Sequence, residues 1–164
     1  MMRAFIVVAC ASLLAGCAVG TASLAGFEPQ AVTRETDSFR KVTTFKGPEV
    51  NHDGGRVFLR AFADAKGITT YELYYFDYFQ SGHGEFRSAT DASGKDLTVI
   101  PIERRLYTCN GYGCSYSEHV AVSLTRDYLF ARSVDGLTIK LYGKTSEVVT
   151  LSGAYVKSFL QALP

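Results

Sequence analysis

Two cysteines five positions apart, Cys109 and Cys114 in "CNGYGC", and three histidines, His52, His83 and His119, are the residues best suited to chemistry in this chain. Such a pair can close a disulfide, supply half of a zinc site or cycle as a redox dithiol. Zinc wants four ligands; the pair supplies two, and no histidine stands at a ligand-like spacing from another. Thioredoxin-type exchange uses C-x-x-C at a helix start, whereas here an asparagine and two glycines make a turn. Acid–base chemistry would fall to the histidines. His52 precedes Asp53 in "NHDGG", and His83 stands close to Glu85 in "SGHGEF", both in glycine-bearing loops of the kind that often carry catalytic groups. No G-x-S-x-G or H-E-x-x-H motif accompanies them, so an ordered nucleophile or zinc-protease arrangement is not indicated.

The compartment decides among the cysteine chemistries, and the N-terminus names it. Met1-Met2-Arg3 is a short positive start, followed by apolar "AFIVVACASLLAG" from Ala4 to Gly16. That stretch is far shorter than the ~20 residues a membrane-spanning helix needs and reads as an export signal. Its end, Leu14-Ala15-Gly16-Cys17, resembles the lipobox of bacterial lipoprotein precursors. The resemblance is confined to this N-terminal segment and leaves the globular domain without a recognised family. It implies cleavage before Cys17 and a diacylglycerol on the Cys17 thiol. Ala18 follows where an aspartate would, in the family's sorting rule, favour inner-membrane retention. The implied destination is the outer membrane of a Gram-negative envelope, with the domain facing the periplasm.

Processing then settles the cysteine arithmetic. Cys10 leaves with residues 1–16 and Cys17 is taken by lipid, so Cys109 and Cys114 remain alone in an oxidising compartment. A disulfide between them is expected. Removing Arg3 with the signal leaves 16 basic against 16 acidic residues in a mature chain of 148. A neutral domain offers no basic field for nucleic acid and no polybasic contact with a membrane beyond the lipid itself.

Residues 17–38 read as the lipidated cysteine and a flexible tether, because "AVGTASLAGFEPQAVTRETDS" sustains neither a period of 2 nor one of 3.6. Residues 39–164 read as a single globular domain of the α+β class. Strand-like runs "FRKVTTF", "RVFLRAF", "ITTYELYYFDYF", "EFRSAT", "DLTVIPIERRLYT" and "SYSEHVAVSL" alternate with turn clusters in the manner of an antiparallel β-meander. The cysteine pair closes the last hairpin of this series. "VSLTRDYL" from Val122 and "VTLSGAYV" from Val149 then repeat V-[ST]-L-[ST]-x-x-Y-[LV]. Each places Thr125 or Ser152 where a helix N-cap belongs. Two hairpin–helix units sharing one antiparallel sheet are therefore expected. Tyr155, Phe159 and Leu163 recur every four residues in the second, giving it one packing face.

Within the disulfide hairpin, a one-residue shift near the glycines brings the apolar sets onto one face. It pairs Ile102 with Val120, Ile100 with Val122, Arg104 with Glu118 and Glu103 with His119. The most unusual stretch is "YELYYFDYF", Tyr71 to Phe79, aromatic on both faces. Its odd set looks like core. The strand reads either as a central one covered on both faces or as one whose even set, Tyr74, Phe76 and Tyr78, is a partner surface, since tyrosine combines apolar area with a polar tip. The chain thus reads as an outer-membrane-anchored periplasmic lipoprotein with a non-catalytic binding or scaffolding role, its partner an envelope protein or peptidoglycan. The alternative is a small cell-wall hydrolase using His83 or His52 with a nearby carboxylate. No cofactor and no metal are expected.

Overall fold

The computed structural model describes residues 31–164 except Ser81 and Tyr112. The signal segment, the lipobox and Cys17 lie outside the described residues. In chain order the elements are β1 (Thr33–Asp37), β2 (Val42–Lys46), β3 (Val50–His52), β4 (Gly55–Asp64), β5 (Gly67–Phe79), β6 (Ser88–Asp91), β7 (Asp96–Leu97), β8 (Val99–Asn110), β9 (Gly113–Leu124), α1 (Arg126–Ala131), β10 (Leu137–Tyr142), β11 (Ser146–Leu151) and α2 (Gly153–Gln161). The fold is mostly antiparallel sheet with two short helices, in keeping with the α+β reading.

The strands form two sheets rather than one meander. The larger has the order β1-β2-β4-β5-β9-β8, with β3 on the same side of β4 as β2; the smaller has the order β11-β10-β6-β7. The hairpin around "DASGK" forms, pairing Ala89 with Leu97 and Thr90 with Asp96. It is short, because the chain changes sheets at Thr98, whose carbonyl accepts from Ser123 N, and continues as β8. The hairpin preceding α1 therefore belongs to the larger sheet and the hairpin preceding α2 to the smaller, which corrects the expectation that both share one sheet. Burial gives the reason. Leu137, Ile139 and Leu141 of β10, and Val149 and Leu151 of β11, are buried in one core with Val57, Leu59, Leu73, Tyr75, Val120 and Val122 of the larger sheet. Two apolar faces that cover each other bury more surface than one sheet topped by two short helices could, and each fully buried aliphatic side chain is worth roughly 1.5–3 kcal/mol.

Both helices begin as their hydroxyl residues dictate. Thr125 Oγ1 accepts from Tyr128 N at 3.2 Å, and Ser152 Oγ accepts from Tyr155 N at 3.2 Å. Leu129 of α1, and Val156 and Phe159 of α2, point into the core. Tyr155 fixes α2 against the larger sheet: its hydroxyl donates to Pro48 O at 2.7 Å and accepts from Leu59 N at 3.2 Å. A Cβ on Gly47 would come within 2.4 Å of that oxygen, so the close approach requires glycine.

The domain also begins earlier than residue 39. Thr33–Asp37, within the stretch read as tether, forms β1 and pairs with β2 along its length. Every residue of β1 is exposed, so its sequence carries no apolar alternation to betray it. The turn that follows is held by Asp37, whose Oδ1 accepts from Phe39 N and Arg40 N, each at 2.9 Å.

Candidate functional site

The two faces of β5 have different surroundings. Tyr71, Leu73 and Tyr75 point into the core and are buried, while Tyr74 and Phe76 are half-buried and Tyr78 is 40% exposed. The even-numbered set thus lies on the outer face of the larger sheet. Register extends that face into its neighbours: Arg56 stands opposite Phe76, Phe58 opposite Tyr74 and Arg60 opposite Glu72 on β4, and His119 opposite Phe76 on β9.

These side chains surround a shallow cavity of about 460 Å³, within the ~300–1,000 Å³ range of small-ligand sites. Rings build its floor. Phe58 and Tyr74 stack at 4.8 Å between centroids, and Phe76 lies 4.4 Å from the His119 ring and 4.7 Å from Tyr78. Cations sit on those rings, with Lys46 Nζ 4.5 Å above Phe58 and the Arg60 guanidinium 4.5 Å above Tyr74. Arg60 is held in place through Nε, which donates to Glu72 Oε2 at 2.6 Å. Glu49 accepts from both Lys46, at 2.6 Å, and Arg56, at 2.9 Å. Burial raises the Tyr74 phenol above its ordinary pKa against the pull of Arg60. Burial likewise lowers that of His119, opposed by Glu103 and assisted by Arg105. Both groups are held neutral near pH 7.

The histidines named as catalytic candidates stand apart from this face. His83 Nε2 is 3.3 Å from Arg105 O, and its ring packs edge-on against Tyr116. Glu85, its neighbour in sequence, turns instead to Arg87 and Lys144. His52 meets Glu147 of β11 at 3.8 Å rather than Asp53, and its Nε2 is buried without a hydrogen-bond partner. Tyr75 packs on the His52 ring and donates to Asp77 Oδ2 at 2.6 Å, a buried bond that helps close that end of the core. Among the described residues no group of three or more His, Cys, Asp or Glu is placed to hold a metal.

Cys109 and Cys114 are joined in a disulfide at the tip of the β8–β9 hairpin. They oppose each other directly in register, and the compensating bulge lies at Tyr107 rather than near the glycines. Arg104 faces Glu118 and Glu103 faces His119, as the shift requires. A second bulge at Ile102 then sets Pro101 opposite Val120 and Val99 opposite Val122, so the expected Ile102–Val120 and Ile100–Val122 pairs do not form. Arg104 Nε donates to Glu118 at 2.9 Å. Glu118 also accepts from Glu85 N and Phe86 N at 2.7 and 3.1 Å, which makes this buried carboxylate the anchor of the loop after β5.

The chain matches no protein-family model, no curated protein and no solved structure. Function is therefore to be read from the site itself. The aromatic set of β5 was legible in the sequence; Lys46, Arg56, Phe58, Arg60 and His119 were not legible as its companions on one face. The signal for the β4 members was present in "RVFLRAF", where Arg56, Phe58, Arg60 and Phe62 alternate with Val57, Leu59 and Ala61. Pairing that strand across "ADAKG" aligns it with β5.

Proposed function

We propose that this protein is a lipoprotein anchored through Cys17 in the outer membrane, facing the periplasm, and that it binds or scaffolds an envelope partner without catalysing a reaction. The observation that carries the binding role is the outer face of β5. Tyr74, Phe76 and Tyr78 line a concave, cation-rimmed surface on which Tyr78 is exposed and Tyr74 and Phe76 are half-buried. A sheet face needed for stability alone would favour polar side chains toward water, and a contiguous aromatic patch there fits recognition. The surroundings of the histidines favour binding over hydrolysis: His52 Nε2 is enclosed, and His83 is engaged with a backbone carbonyl. We read the repeated V-[ST]-L-[ST]-x-x-Y-[LV] segment as one hairpin–helix unit used twice, the first supplying β9 to the sheet that carries the recognition face and the second packing against the core side of that sheet.

Crosslinking in intact cells, with the mature domain as bait, tests this reading. Wild-type protein should capture a partner that the Tyr78→Ala and Arg56→Glu variants lose at unchanged thermal stability. Equal capture by wild type and both variants would reject the face. The anchor is tested separately: Cys17→Ser should abolish lipid labelling and release the cleaved domain, or leave the precursor unprocessed. Membrane fractionation of a cleaved Cys17→Ser protein would reject it.

A further inference from the structure

We propose that the ligand of the outer face is a saccharide bearing a carboxylate, of the muramic-acid type whose lactyl ether carries one, presented by cell-wall glycan. The inference rests on the reading of this face as a binding surface and names its chemistry.

Charge complementarity selects an anion. The cavity is lined by Lys46, Arg56 and Arg60 against a single carboxylate, Glu49. Glu49 is shared by two of those cations, and even with Glu72, which holds Arg60, the cations exceed the carboxylates by one. Lys46 and Arg56 keep 42% and 56% of their side chains exposed. Arg60 is more prepared. Glu72 takes its Nε, the guanidinium carbon lies 4.5 Å from the Tyr74 ring centre and 5.1 Å from that of Phe62, and among the described residues its remaining nitrogens have no hydrogen-bond acceptor. A guanidinium fixed by one edge presents its other nitrogens as a fork, the geometry that matches a carboxylate.

The floor selects a sugar over a peptide. β4, β5 and β9 are each paired on both sides, so an extended peptide finds no free strand edge here to extend the ladder. What the surface offers is side chains alone: ring faces and edges at Phe76 and Tyr78, the Thr44 hydroxyl, and the phenol oxygens of Tyr74 and Tyr78, which remain able to accept while bonded to His119 and Tyr107. Pyranose rings present an apolar C–H face and equatorial hydroxyls, which suits tyrosine's apolar body and polar tip. Seating the ring there brings a pendant carboxylate toward the basic rim.

The test uses the mature lipidated chain in detergent micelles. It is titrated with the disaccharide N-acetylglucosaminyl-N-acetylmuramic acid, and with diacetylchitobiose, lactate and tetraglutamate as comparators. Calorimetry should find the acidic disaccharide bound about tenfold or more tighter than each comparator. Amide shifts on binding should cluster on β4, β5 and β9 around the cavity. Arg60→Gln should weaken binding by about tenfold, and Arg56→Gln, at an exposed position that leaves folding intact, by about threefold. Equal affinity for diacetylchitobiose would overturn the carboxylate assignment, and tighter binding of tetraglutamate would make the site one for acidic peptides. No binding of the disaccharide at roughly 10 mM would overturn the inference outright. Capture of an envelope protein through Tyr78 in the crosslinking experiment, alongside that failure, would leave the face a protein-binding surface. Failure of both would remove the face itself.

Discussion

Tyr74 Oη lies 2.6 Å from His119 Nδ1, a bond that crosses from β5 to β9 on the outer face. While the imidazole is neutral with its proton on Nε2, the phenol donates to Nδ1; a second proton on the ring removes that acceptor. Burial holds His119 below its ordinary pKa, with Glu103 pulling the other way and Arg105 adding to the depression. The unfolded chain therefore takes up the proton first. His119 contributes stability that is complete above the unfolded value of about 6.5 and is lost as pH falls through the folded value. Urea unfolding at pH 7.5 and 5.5 should show a larger acid loss for wild type than for His119→Gln, whose amide can still accept from Tyr74. Equal losses would show that His119 does not govern this limb.

The two faces of β5 should separate in mutagenesis. Tyr75 is fully buried and its hydroxyl is bonded to Asp77, so Tyr75→Ala should cost about 3–5 kcal/mol, the range for large-to-small aromatic changes in cores. Tyr78→Ala removes a side chain 40% exposed and should cost about 1 kcal/mol or less. Denaturant midpoints on the two variants check the difference. Strong destabilisation by Tyr74→Ala and Tyr78→Ala together would sink the recognition-surface reading.

Reduction of the Cys109–Cys114 disulfide should leave the sheet intact. β5 pairs with β9 only as far as Tyr116, so the cysteine tip extends beyond the third strand, and the strand pairing there is that of β8 with β9. Closing so short a loop is worth about 2 kcal/mol in the chain-entropy model. The double Cys→Ser variant should lose at most that much in urea unfolding and keep its β-sheet circular dichroism. Collapse of the whole fold on reduction would show that the tip carries more than this.

How legible each element was depended on what buried it. The two helices could be read because capping chemistry is local: Thr125 and Ser152 each bond a backbone amide three residues on. The pairs Arg104–Glu118 and Glu103–His119 followed from alternation along both strands, since without a one-residue shift between the cysteines and Arg104 the apolar set of β8 would fall on the face opposite Val120 and Val122. Division into two sheets was invisible because it rests on long-range pairing, such as Ile139 with Asp91 across 48 positions, which no local period encodes. The same holds for the binding face. Its aromatic half is contiguous in sequence, but Lys46, Arg60 and His119 join it only through strand pairing.

Asp91 makes the last prediction, because it joins the smaller sheet to α1. Its Oδ1 accepts from Ser93 N, Ser93 Oγ and Lys95 N at 2.8, 2.6 and 3.0 Å. Its Oδ2 accepts from the Tyr128 hydroxyl at 3.0 Å and an Arg132 nitrogen at 3.2 Å. Burial works to raise the pKa of this carboxyl, but the bonds from Ser93, Lys95 and Tyr128 outweigh it and hold Asp91 well below the ordinary carboxylate range. On the other side of the bond, burial and Asp91 push the Tyr128 phenol up to about 12. A carboxylate whose folded pKa is depressed stabilises fully above its unfolded value of about 3.9, and that stability is lost as pH falls toward the folded value. Asp91→Asn keeps one acceptor oxygen and gives up the charge, so at pH 7 it should be destabilised by about 2 kcal/mol, the scale of hydrogen bonds to a charged group. Below pH 4 the wild-type carboxylate is progressively protonated as the chain unfolds, and the gap between wild type and variant should narrow. Urea midpoints for the two proteins at pH 7, 4 and 2.5 measure that gap. A difference that stays constant across the three would mean that the charge of Asp91 does not hold α1 to the sheet.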